Sequence, residues 1–302
     1  MYISGVEPQL LNHYPGTFYY FEPLHYYAHH GNRSQLPPEQ TLIRSLLNCQ
    51  FNKENFGYLQ HVANQDNTFL FENHNFRFWN SCRGVLPWNT LCFIPEFLAI
   101  ACRLHPVRLV KTVRLRMAAA AQLLPEPGLH VILLVRDPRA VFASRATEPV
   151  ASWCSQERGC ASPAASCADL AADLAAWREV QQSHRGRVAV IRYEDLAVDP
   201  ERVTRRMVER LGLPWHPALH QFLASHTRHP PRTGLPSHDP YGTSRNSTAT
   251  AFAWRHKLSF NNISSIQAAC SQPLASLGYK LLNKENFRKQ SFLPIKKEFD
   301  II

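Results

Sequence analysis

At 302 residues and 45% apolar composition, the chain can bury one large α/β core. Its 33 Lys and Arg against 23 Asp and Glu leave a net charge of +10, which favours anionic partners: nucleic acid, anionic glycans or phosphorylated small molecules. No Lys/Arg run with interleaved aromatics and no zinc-finger spacing occurs, which argues against nucleic acid.

Thr17 to Glu22, TFYYFE, reads as a short aromatic strand, placing Glu22 at its carboxyl end before Pro23; a solvated turn carboxylate is the other reading. The histidines of His25 to His30 lack a spaced carboxylate or Cys and read as loop residues rather than ligands. Leu36 to Gln50 has leucines at helical spacing after Pro-Pro-Glu and predicts an amphipathic helix. Residues 51–89, rich in Asn, Phe and His, have no clear period and read as an irregular lobe on the acceptor side. Thr90 to Leu104 is predicted helical in part, interrupted at Pro95. Val107 to Val113 is the next strand, followed by a helix over Arg114 to Leu124. Lys111 and Arg114 then either face an anionic ligand or stand as solvated charges.

His130 to Val135 is an unbroken apolar run, expected to be a strand buried on both faces of a parallel sheet. Arg136-Asp137-Pro138-Arg139 ends it in a turn with a helix start, because Asp caps and Pro suits the first turn. Anions sit where a strand's carboxyl end meets a helix amino end. Arg136 and Ser144, two turns into that helix, could hold one phosphate; alternatively Arg136 pairs with Asp137 or a surface carboxylate. An amphipathic helix over Cys167 to Ser183, a buried strand over Val188 to Tyr193, and helices over Glu201 to Leu211 and Leu219 to His226 follow. Arg228 to Arg245 is loop by composition, either a lid that brings Arg245 over a phosphate or a capping segment for a helix over Thr248 to Leu258. Ile263 to Leu277 is the last predicted helix, and Asn283 to Ile302 reads as a charged, frayed tail.

Eight cysteines without a Cys-x-x-Cys pair argue against a metal site, and Cys154, Cys160 and Cys167 bracket a Ser/Ala/Pro stretch in the manner of a disulfide-stapled loop. With sequons at Asn32, Asn246 and Asn262, they tilt towards a lumenal or secreted environment. Met1 is followed by no signal peptide, and the most apolar window, Val85 to Leu104, is broken by Pro87, Asn89, Pro95 and Glu96.

Six islands fall into one pattern: FYYFEPL (Phe18 to Leu24), KTVRLR (Lys111 to Arg116), LLVRDPRAVFASR (Leu133 to Arg145), RYEDLAVDP (Arg192 to Pro200), YGTSRNSTATAFAWR (Tyr241 to Arg255) and LGYK (Leu277 to Lys280). Over roughly Leu10 to Lys280 the chain resembles the Golgi carbohydrate sulfotransferases, in particular the group acting on the 6-hydroxyl of galactose, N-acetylglucosamine or N-acetylgalactosamine. The resemblance implies a P-loop-NTPase-like, three-layer α/β fold with a central parallel sheet. It also implies the sulfuryl donor 3'-phosphoadenosine 5'-phosphosulfate, no metal, a glycan or proteoglycan acceptor, and a Golgi-lumenal type II membrane protein. On that pattern Arg136 and Ser144 match the 3'-phosphate site, Tyr193 a strand-end aromatic near the nucleotide, Arg245 the closing basic residue, and Glu22 the base beside the acceptor hydroxyl. The implied organisation is a sulfotransferase domain over residues 1–280 and a tail over 281–302.

One departure stands out. Counting back from Phe21-Glu22-Pro23, the loop that cradles the 5'-phosphosulfate falls at residues 1–6, MYISGV, where only Ser4-Gly5 echoes it. The first strand, that loop and the membrane anchor are therefore expected to be missing, and little or no activity is expected of the polypeptide as it stands. The other class of function is an inactive relative that binds nucleotide or anionic glycan without turnover. A P-loop kinase is set aside, since no Gly-x-x-x-x-Gly-Lys-Ser/Thr loop occurs.

Overall fold

A computed structural model describes residues 10–29, 36, 38–52, 55–63, 75, 78–79, 82, 92–148, 150–155, 158–227, 246–289 and 291–296. The chain forms two compact units, Glu7–Leu123 and Leu124–Ile302 with Met1–Val6. Residues 1–6, on which the expected loss of the donor loop rests, and most of residues 51–89 lie outside the described residues.

In the unit of residues 7–123, strand β1 (Thr17–Phe21) pairs in parallel with β2 (Val107–Lys111), from Thr17 opposite Val107 to Phe21 opposite Lys111. Its aromatics are β formers, and Phe18, Tyr19 and Tyr20 are buried. Between the strands lie helices α1 (Glu39–Leu47), α2 (Phe56–Ala63) and α3 (Pro95–Leu104). Pro95 begins α3 rather than interrupting a longer helix: at the first helical position its missing N–H is no loss. Helix α4 (Met117–Ala121) is shorter than expected, because residues 113–116 turn before it. His25–His29, expected as loop, form one helical turn.

In the unit that begins at Leu124, β3 (Val131–Val135) runs parallel to β4 (Val188–Arg192), from Val131 opposite Val188 to Val135 opposite Arg192. Every residue of β4 is buried, but in β3 only Val135 is, so the expectation of full burial on both faces fails for β3. Among the described residues β3 has a ladder partner along one edge only, which leaves its other side chains half-covered. Helix α5 (Pro138–Arg145) starts as predicted, with the Asp137 side chain accepting from the Arg139 N–H. Helix α6 (Pro163–Ser183) begins earlier than expected because Ser162 caps it and Pro163 opens it. The expected loop before it carries a short helix, Arg158–Ala161.

Helix α7 (Tyr193–Val198) leaves β4 without a linking residue, and α8 (Pro200–Arg210) follows at once under an Asp199 cap. Helix α9 (Pro217–Thr227) closes this run. The helix expected over Thr248 to Leu258 is two, α10 (Ser247–Phe252) and α11 (Trp254–Lys257), with the His256 N–H reaching back only to Ala253. The last predicted helix also splits, into α12 (Phe260–Ala269) and α13 (Ser271–Ser276). Pro273 has no N–H to continue the ladder across that break. Val135, Ala140, Leu170, Leu174, Val190 and Trp254 share one core with α12 and α13.

The segment expected as a frayed tail is packed through residue 296. Gly278, in the left-handed region at φ 69°, ends α13 and turns the chain back. Tyr279 and Ile295 then form an antiparallel bridge, and Ile295 is buried. Arg255 donates to the carbonyls of Asn286, Phe287, Lys289 and Phe292 at 2.8–2.9 Å, and Arg192 donates to that of Lys296 at 2.9 Å.

All eight cysteines are paired: Cys49–Cys102, Cys82–Cys92, Cys154–Cys160 and Cys167–Cys270. Among the described residues no helix is long and apolar enough to cross a membrane.

Candidate functional site

The parallel register of β1 and β2 ends with Phe21 opposite Lys111, so Glu22 is the first residue past the strand and its N–H donates to the Lys111 carbonyl at 2.8 Å. Glu22 has φ 49°, an uncommon value for a residue with a Cβ, and its side chain is buried. Lys111 Nζ is hydrogen-bonded to Oε1, and Arg114 Nη1 donates to Oε2 at 2.9 Å. Glu22, Lys111 and Arg114, three residues singled out in the sequence, thus meet. The two cations face the carboxylate, which balances its charge on burial. Oε2 also accepts from the Val113 N–H at 3.4 Å, so among the described residues Oε1 is the oxygen that keeps a lone-pair direction for a further donor.

In the other unit the β3–β4 register ends with Val135 opposite Arg192, so Arg136 and Asp137 leave β3 where Tyr193 and Glu194 open α7. The Arg136 guanidinium lies over the Tyr193 ring, 4.6 Å from its centroid. Its Nε is buried without a hydrogen-bond partner. The pairing of Arg136 with Asp137, one of the two sequence readings, does not form, because Arg139 occupies that carboxylate. Arg139 Nε donates to Oδ1 at 2.9 Å and Nη2 to Oδ2 at 2.7 Å. Among the described residues no acceptor meets this Arg136 donor, which suits an oxyanion. Ser144 lies exposed in the second turn of α5. Arg245 lies outside the described residues.

Four residues that the sequence reading passed over hold this strand end. Glu194 is wholly buried; its Oε1 accepts from the Asp137 N–H at 3.0 Å and its Oε2 from the Tyr279 hydroxyl at 2.7 Å. Burial first, and then the Asp137 carboxylate, push the Glu194 carboxyl up to about 7; the hydrogen bonds from Tyr279 and the Asp137 N–H and the Arg136 charge pull the other way. Burial, with Glu194 next, pushes the Tyr279 phenol up. Arg139 also donates to Gln267 and to the Lys280 carbonyl, tying the turn to the segment after α13. The sequence carried one signal for Glu194, its place directly after the strand predicted over Val188 to Tyr193.

Comparison with known proteins places the chain in a family. It matches the family described as Sulfotransferase family over residues 41–217, more than half its length, and belongs to that family. It is accordingly a transferase enzyme of sulfuryl groups, with the α/β fold and parallel strands of such enzymes. It is 28% identical to carbohydrate sulfotransferase 1 of Mus musculus, across 98% of this chain and 81% of that protein. It is 32% identical to carbohydrate sulfotransferase 1 of Homo sapiens, across 67% of this chain and 52% of that one. Carbohydrate sulfotransferase 3 of Mus musculus is 32% identical across 60% of this chain and 41% of its own. Among solved structures, the sulfotransferase domain from the curacin biosynthetic pathway aligns with a TM-score of 0.45 at 16% identity, covering 88% of this chain and 91% of that domain.

Proposed function

We propose that the chain is a carbohydrate sulfotransferase. It moves a sulfuryl group from 3'-phosphoadenosine 5'-phosphosulfate to the 6-hydroxyl of a galactose, N-acetylglucosamine or N-acetylgalactosamine residue of a glycan or proteoglycan, in the Golgi lumen. The family, the relatives named for carbohydrate acceptors and the disulfides, which suit an oxidising compartment, support this reading. The observation that carries it is the Arg136 guanidinium at a strand's carboxyl end, stacked on Tyr193 with a buried, unpartnered Nε.

The donor supplies an activated sulfur–oxygen bond. Arg136 holds the nucleotide's 3'-phosphate from the strand end, and the exposed Ser144 hydroxyl adds a donor from α5. Tyr193 keeps the guanidinium flat. Arg245, which the family resemblance matches to a basic residue at the nucleotide, is assigned to the same ligand. Glu22 takes the proton of the sugar hydroxyl as the new oxygen–sulfur bond forms and the bond to the nucleotide's phosphate breaks, releasing adenosine 3',5'-bisphosphate. Lys111 and Arg114 fix that carboxylate and give the edge a positive charge that favours the anionic part of a substrate. No step calls for a metal.

The test is calorimetric titration with adenosine 3',5'-bisphosphate. A charge-assisted contact is worth roughly 1.5–3 kcal/mol, so Arg136→Ala should weaken binding by about ten- to a hundredfold. Ser144→Ala should weaken it less. Equal affinity in wild type and Arg136→Ala would remove the nucleotide from this strand end.

A further inference from the structure

The buried carboxylate of Glu194 has no part in the transfer step above, yet it holds the turn that carries Arg136. Its two oxygens receive the Asp137 N–H and the Tyr279 hydroxyl, one donor from the β3–α5 turn and one from the segment after α13. The groups that face it can be named from each side. Arg136 and Asp137 come from the turn, and Asp137 is itself neutralised by Arg139. Tyr279 comes from the chain after α13; Arg192, which bears on Tyr279, comes from the end of β4 and is bidentate to Asp195. The charge of Arg136, the smallest of the causes acting on Glu194, favours its ionised form, and among the described residues no cation is hydrogen-bonded to it. An anion laid on Arg136 cancels that attraction, while burial and the Asp137 carboxylate continue to oppose a charge at this position.

Resting on the reading of Arg136 as a phosphate ligand, we infer that Glu194 is a positioning residue that couples nucleotide binding to proton uptake. The phosphate on Arg136 raises the proton occupancy of the Glu194 carboxyl; in the neutral form Oε1 still accepts from the Asp137 N–H and the acid proton on Oε2 is donated to the Tyr279 oxygen. With its carboxyl already pushed up to about 7, Glu194 changes charge in the range where a lumenal enzyme works. Linkage is reciprocal: whatever factor the nucleotide adds to proton affinity, the proton adds to nucleotide affinity. The bisphosphate therefore binds more tightly as pH falls through neutrality.

Calorimetry of the intact chain with adenosine 3',5'-bisphosphate, in two buffers of different ionisation heat near neutral pH, reads the proton count directly. Wild type should take up a measurable fraction of a proton per site and tighten about fivefold as the medium becomes mildly acidic, a typical coupling. Glu194→Gln, which mimics the neutral carboxyl, should bind with that uptake abolished; the ligand's own phosphate titration is common to both proteins and cancels in the difference. Tyr279→Phe removes a hydrogen bond that favours the charged form, so the uptake should move to higher pH, and this variant serves if Glu194→Gln does not fold. Binding that weakens in Arg136→Ala but shows the same proton count in wild type and Glu194→Gln, or an unmoved uptake in Tyr279→Phe, overturns the coupling and leaves the Arg136 reading intact. No binding at all, or no effect of Arg136→Ala, overturns both.

Discussion

Arg139 and Glu194 are both wholly buried, and they carry opposite risks. Arg139 satisfies Asp137, Gln267 and the Lys280 carbonyl together and lies over Trp254. Removing one member of a buried pair leaves an uncompensated charge, so Arg139→Met should lower unfolding stability by about 3–5 kcal/mol in urea titration. Glu194 acts on the pH profile. Its folded value of about 7 lies above the reference of 4.5, so between those limits the native chain holds a proton that the unfolded chain has lost. That stability contribution is present at low pH and fades as pH rises through the window. Thermal unfolding followed from mildly acidic to mildly alkaline pH should show a decline in wild type that flattens in Glu194→Gln. An unchanged slope would mean that Glu194 does not titrate there. Glu22→Gln should cut turnover by roughly 10²–10⁴-fold, the usual range for a lost general base, and should also lower stability, because Lys111 and Arg114 lose the carboxylate that balances them.

Elements were legible where the signal is local. The four strands stood out as β-branched or aromatic runs, and Asp137-Pro138 fixed the start of α5 because cap and proline are adjacent in sequence. Long-range causes were not legible. Residues 283–296 look frayed by charge and composition, yet Arg255 gathers four of their carbonyls from some 30 positions away. Substituting Arg255 with Met should expose this segment to protease and cost about 2 kcal/mol, since the carbonyls of four half-buried or exposed residues lose their donor at once. The site divides in the same way. Arg136 could be read from a strand-end rule, and Glu22, Lys111 and Arg114 were found singly. The contact of Glu194 with Tyr279, 85 residues further on, has no local pattern that would mark it.

Across the whole molecule, four disulfides close loops of very different length. Cys167 and Cys270 are separated by 103 residues, against 6 for Cys154 and Cys160. Chain-entropy arithmetic assigns about 4.7 kcal/mol to a loop of the first size and about 2 kcal/mol to the second. Paired Cys→Ala variants should therefore rank in that order in thermal melts. The central claim, sulfuryl transfer to a sugar, is tested most directly by incubating the chain with donor labelled in its sulfuryl group. The acceptors are glycans ending in galactose, N-acetylglucosamine or N-acetylgalactosamine, each beside its 6-deoxy analogue. Label on the sugars that carry the 6-hydroxyl, none on the deoxy analogues and strong loss of signal in Glu22→Gln is the result that the proposed function predicts, and it would overturn the expectation of little or no activity read from MYISGV at residues 1–6. Nucleotide binding without label on any sugar would contradict the proposed function and leave a binding module in the place of an enzyme.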